Sequence, residues 1–155
     1  MPESTPQLHL AQLLKYPFEA LLGRLHEELA AAGFADIRPA HGCVLQYAEP
    51  DGSRLTDLAR AARLKKPTVL AAVDDLVRLG YAERLPDPQD RRAKLVRLTP
   101  RGAAAAAEGQ RIIASIERDW QARIGSRRAR ELRRSLEELH AAITRGDAQP
   151  AAPSA

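Results

Sequence analysis

The segment Asp87-Pro88-Gln89-Asp90-Arg91-Arg92-Ala93-Lys94 gathers three cations and two acids around two prolines' worth of stiff backbone, Pro86 and Pro88. Guanidinium and ammonium groups on such a loop suit phosphate oxygens and the negative potential of a narrow DNA groove. Upstream, Lys65 and Lys66 can reach phosphates, contacts that position a protein without reading sequence. Beside them, Pro67 and Thr68 are followed by Leu70 and Ala71. Thr68 offers a hydroxyl to a base edge, and Leu70 or Ala71 an apolar contact to a thymine methyl. Asp74 and Asp75 repel a phosphate backbone wherever they face it. A charged loop is otherwise only a solvated turn, so the surrounding elements decide its meaning.

No other constellation points to catalysis. His9, His26, His41 and His140 lack metal-ligand spacing, and the glycines form no phosphate-binding loop. No serine, histidine and acid set carries a motif, so neither an enzyme nor a cofactor is expected. The single cysteine, Cys43, excludes an intramolecular disulfide framework and a zinc site built on paired cysteines. It reads first as a small buried residue.

Composition narrows the partner. The 155 residues carry a formal charge of +4, but residues 1–53 sum to −4, residues 54–102 to +6 and residues 103–155 to +2. A basic middle third fits a polyanion. Aromatics are only 4%, too few for a platform that stacks single-stranded bases. No apolar stretch approaches the roughly 20 residues of a membrane span, and no secretory signal is visible, so a cytoplasmic protein without membrane attachment is expected.

The elements that must position these residues are mostly helices. Leu8 to Leu14 reads as a short helical arm that Pro17 bends or ends. Phe18, Leu21, Leu22, Leu25 and Leu29 then form one helical stripe, stopped at Gly33. A second helix is predicted over Pro39–Ala48, and Pro50-Asp51-Gly52-Ser53 is a turn cluster. Thr56 suits the cap of a helix over Asp57–Arg63. After a bend at Leu64-Lys65-Lys66, a helix from Pro67 to Leu79 buries Val69, Ala72, Val73, Leu76 and Leu79. Two short helices around a tight bend make a helix-turn-helix. Strands over Tyr81–Leu85 and Lys94–Leu98 flank the basic loop as a wing. Thr99 and Pro100 restart a helix that runs to Gly125, and Ser126 caps the last one. Its Leu132, Leu136, Leu139 and Ile143 form a seam that asks for a second copy of the chain.

From Leu55 to Gly102 the sequence resembles the multiple-antibiotic-resistance regulator (MarR) family of winged-helix transcription factors. The most specific pieces are the Asp87–Lys94 wing and Leu98-Thr99-Pro100-Arg101-Gly102. The resemblance implies a mainly α, winged helix-turn-helix fold with flanking N- and C-terminal dimerisation helices. Residues 1–36 and 103–145 are then the dimerisation region, 37–102 the DNA-binding domain and 146–155 a disordered tail. It implies a homodimer on double-stranded DNA, with Arg92 as the wing-tip arginine in the minor groove and Asp90 as the acid that orients arginine side chains there. Two-fold symmetry then sets an inverted-repeat operator with half-sites roughly 34–36 Å apart.

The function expected is a sequence-specific regulator, a repressor relieved by a small phenolic or aromatic ligand. His41, Tyr47 and Trp120 are the residues expected to line its pocket. One alternative is an architectural DNA-binding protein, favoured by the sparse polarity of Pro67, Leu70 and Ala71. The other is a redox-sensing regulator acting through Cys43.

Overall fold

A computed structural model describes residues 8–90 and 92–147 of the chain. Two compact units emerge, Met1–Ile113 and Ala114–Ala155. In the first unit, helix α1 spans Leu10–Ala31 without interruption, with Pro17 inside it. The proline costs the bond to the Leu13 carbonyl, but Leu13 and Pro17 both lie on the exposed side, where water satisfies the freed oxygen. The expected break is therefore absent. The next helix is shorter than its apolar pattern suggests. Pro39–His41 forms a 3-10 turn, and α2 covers only Gly42–Leu45.

The turn cluster ends in a strand that sequence reading missed, β1, Ser53–Arg54. It pairs antiparallel with β3, Lys94–Leu98, which also pairs with β2, Ala82–Pro86, in the order β1-β3-β2. Two residues are too few to show alternation, so β1 left no signal. Pro86 is tolerated because β2 is an edge strand. β1 leads directly into α3, Leu55–Ala62, so the extended Arg54 caps it and Thr56 lies inside.

Helix α4, Lys66–Arg78, follows after Arg63 turns through the left-handed region at φ 53°. Its buried residues are Val69, Ala72, Val73 and Leu76, as its periodicity requires, while Leu79 is only half-buried. With Val44, Leu58, Tyr81, Val96 and Ile112, they make the core of the first unit.

Helix α5, Pro100–Ile124, starts at a tight joint. The Thr99 hydroxyl accepts from the Gly102 N–H at 3.1 Å and donates to the Gly80 carbonyl at 2.7 Å. Gly102 lies so close under the Tyr81 carbonyl that a Cβ would sit 1.9 Å from that oxygen. The Thr-Pro-Arg-Gly run is thus a cap, a helix start and an obligatory close approach.

In the second unit, α6 covers Ser126–Asp147. Gly125, at φ +87°, separates it from α5, and its carbonyl accepts from the Ala129 N–H at 3.0 Å. Ser126 is therefore the first helical residue and not the cap; its hydroxyl accepts from Gln121 Nε2 at 3.1 Å. Arg133 and Glu117 pair at 2.9 Å. Leu132, Leu136, Leu139 and Ile143 are all exposed. Gly146 and Asp147 continue the helix, and the rest of the expected tail lies outside the described residues.

Candidate nucleic-acid interface

Burying Val69, Val73 and Leu76 turns the opposite face of α4 outward. Lys65, Lys66, Pro67, Thr68, Leu70, Ala71 and Asp74 are all exposed. The two lysines sit at the start of the helix, with extended Lys65 as its cap. The two acids of α4 have different surroundings. Asp74 pairs with Arg84 of β2. Asp75 is turned aside, 2.9 Å from Arg78 and 3.5 Å from both Arg38 and His41. The Arg78 hydrogen bond, chiefly, holds its carboxyl below the usual carboxylate range.

The wing is held from beneath by an ion pair. Asp87, only 4% exposed, accepts from Arg54 Nε at 2.7 Å and forms an ion pair with Nη2 at 2.6 Å. It also accepts from the Gln89 N–H at 2.8 Å, the leading reason its carboxyl is held low, with Arg54 adding to the effect. Asp90 Oδ1 accepts from the Arg92 backbone N–H at 2.9 Å, so the acid shapes the turn that carries Arg92. Arg92 and Lys94 are exposed, and Arg91 lies outside the described residues. Within the sheet, Arg97 and Glu83 link β3 to β2 at 2.8 Å.

A second clamp closes the far end of α4. Arg101 donates to the Leu79 carbonyl at 2.9 Å and to Asp36 at 3.2 Å, and its guanidinium lies 4.2 Å over the Tyr81 ring. The Tyr81 hydroxyl donates to Asp36. That bond is the largest influence keeping the Asp36 carboxyl low, while burial raises the Tyr81 phenol. The pairings of Arg54, Arg84, Asp36, Tyr81 and Arg101 carried no signal in the sequence, since each acts on a partner at least ten positions away. Asp87 was visible only as the first letter of its motif.

A cavity of about 460 Å³ is lined by Phe18, Leu22, Leu25, Ile37, Cys43 and Tyr47, among others. Thr68 also reaches it. Of His41, Tyr47 and Trp120, only Tyr47 lines this cavity. His41 is buried elsewhere: its Nδ1 accepts from the Arg38 N–H at 3.1 Å, and Nε2 faces Asp75 without a hydrogen bond. Burial keeps it below the ordinary histidine value. Trp120 belongs to the second unit, half-exposed on α5. Cys43 Sγ donates to the Ala40 carbonyl at 3.1 Å, and burial pushes the thiol up, away from the reactive thiolate. Among the described residues, no group of three or more His, Cys, Asp or Glu side chains could hold a metal ion.

Residues 35–93, from the loop after α1 to the wing, match the model of the MarR family. The winged module is similar to that of the MarR family. Solved structures share its fold at low identity. One, of an S. aureus MepR–DNA complex, has a TM-score of 0.74 at 21% identity, covering 88% of this chain and 99% of that one. The reduced form of MarR from E. coli gives 0.72 at 23%, covering 86% and 97%. The regulator Tm0710 from Thermotoga maritima gives 0.59 at 24%, covering 90% and 97%. No curated protein matches the chain in sequence. The MarR module therefore comprises the pieces just described: α4 with its bare outward face, and a wing braced by Arg54 and Asp87.

Proposed function

We propose that this chain is a sequence-specific, double-stranded DNA-binding transcriptional regulator that acts as a homodimer. The observation that carries the reading is the outward face of α4 from Lys65 to Asp74, presented on the same MarR module as the exposed Arg92 and Lys94. The DNA-bound MepR structure, which shares the fold, supports it. In this reading residues 37–102 bind DNA, with α4 in the major groove and Arg92 in the flanking minor groove. Residues 1–36 and 103–145 pair two copies through the exposed leucines of α1 and α6. The protein represses by occupying a promoter, and a small apolar or phenolic molecule in the cavity releases it.

The test compares binding to the upstream region of its own transcription unit with binding to a shuffled duplex, at one stated salt concentration. A preference on the order of several hundred-fold supports a regulator. A ratio near unity favours an architectural DNA-binding protein instead, the reading to which Pro67, Leu70 and Ala71 lend weight because none has a hydrogen-bonding side chain. Arg92→Ala is expected to weaken binding and reduce its salt dependence by about one phosphate or groove contact.

A further inference from the structure

One residue on the outward face of α4 has the wrong charge for a polyanion. Asp74 follows Pro67, Leu70 and Ala71 at helical spacing, so it shares their face, and its side chain is 58% exposed. An unpaired carboxylate there would repel phosphate. It is not unpaired: Oδ1 accepts from Nη2 of Arg84, a half-buried side chain that reaches across from β2. The guanidinium offsets the charge, fixes the direction of the carboxylate and leaves Oδ2 as an acceptor. Asp75 is not equivalent, because it is drawn to Arg78, Arg38 and His41. Pro67, Leu70 and Ala71 offer no hydrogen bond, so Asp74 is the one charged acceptor on this face of α4.

A carboxylate acceptor in the major groove has one well-matched partner, the N4 amino group of cytosine. Guanine and thymine present acceptors, which repel it, and the adenine N6 amino group stands beside the N7 acceptor. We propose that Asp74, held by Arg84, is a specificity-determining residue that accepts a hydrogen bond from cytosine N4 in each half-site. The proposal rests on the DNA-binding reading above.

Selection from a randomised duplex pool tests it, using the full chain as wild type, Asp74→Asn and Asp74→Ala, with circular dichroism to confirm folding. Wild type is expected to enrich cytosine at one position of each half-site. Asp74→Asn replaces that cytosine with adenine, whose N6 and N7 match a carboxamide, and Asp74→Ala flattens the position with about a ten-fold loss of discrimination. The remaining positions keep their preferences. Arg84→Gln weakens binding to every sequence, and Asp74→Asn in that background restores part of the loss. If all the proteins enrich one motif, the assignment of Asp74 is overturned while DNA binding stands. If wild type enriches none, both readings fall.

Discussion

Asp87 accepts a 2.7 Å hydrogen bond from Arg54 Nε, with Nη2 of the same guanidinium 2.6 Å away in an ion pair, and so ties the base of the wing to the strand that precedes the helix-turn-helix. The acid is almost fully covered, and its other oxygen holds the Gln89 N–H. Removing either partner leaves a charge or an amide without its match. Asp87→Ala and Arg54→Met are both expected to lower the thermal midpoint. Both should also lower DNA affinity more than the distant Arg111→Met does, as read by fluorescence anisotropy.

The same carboxyl sets an acid limit. Its folded-state pKa is depressed, so the stabilisation is complete above the unfolded carboxylate value of about 4 and is lost as pH falls through the folded value. Denaturant unfolding of wild type should therefore weaken below about pH 4. In Asp87→Asn, that acid-dependent loss should be smaller than in wild type.

His41 gives a second pH dependence at a higher range. Its folded pKa is depressed by burial, so the unfolded chain takes up the proton first as pH falls below about 6.5. Stability is full above that value and declines as pH falls towards the folded pKa. The Arg38 N–H already occupies Nδ1, so a proton there must break the bond that starts the Pro39–His41 turn. Unfolding free energies at pH 7.5 and 5.5 should differ in wild type and differ less in His41→Asn. Equal pH slopes would refute the assignment.

The α5 joint separates steric from hydrogen-bonding cost. Thr99→Ala removes one cap and should cost about 1 kcal/mol. Gly102→Ala forces a methyl against the Tyr81 carbonyl and should cost more, about 3 kcal/mol or non-folding, because backbone must move. Chemical denaturation orders the two.

The exposed seam of α6 should govern assembly. Leu136 and Leu139 are 40% and 41% exposed in the single chain, on the face they share with Leu132 and Ile143. Leu136→Glu with Leu139→Glu is expected to shift sedimentation from dimer to monomer and to lower DNA affinity with it. A dimer unaffected by both changes would place the interface elsewhere.

Periodicity and punctuation carried most of the fold. The inner face of α4, the paired wing strands and the start of α5 at Pro100 were all legible, because local pattern and local capping agree there. Boundaries failed where a neighbour in space overruled the local signal. β1 exists because β3 offers it a partner, and its arrival displaced Thr56 as the cap of α3. Pro17 did not end α1, because an unpaired carbonyl on a wet face costs little. At the site, exposure of Thr68, Leu70 and Ala71 followed from the helix period alone. The partners of charged residues did not: Asp74 finds Arg84 ten positions away, and Asp87 finds Arg54 thirty-three away. Composition records such charges without recording who meets whom.

The Arg101 clamp limits how α4 can move. One guanidinium holds the carbonyl of Leu79, which caps that helix, and Asp36 in the loop after α1, while the neighbouring Thr99 and Gly102 set the first turn of α5 against the Gly80 and Tyr81 carbonyls. The C-terminal end of α4 and the first turn of α5 are thus geared to each other through three consecutive backbone carbonyls, and a displacement of one must carry the other with it.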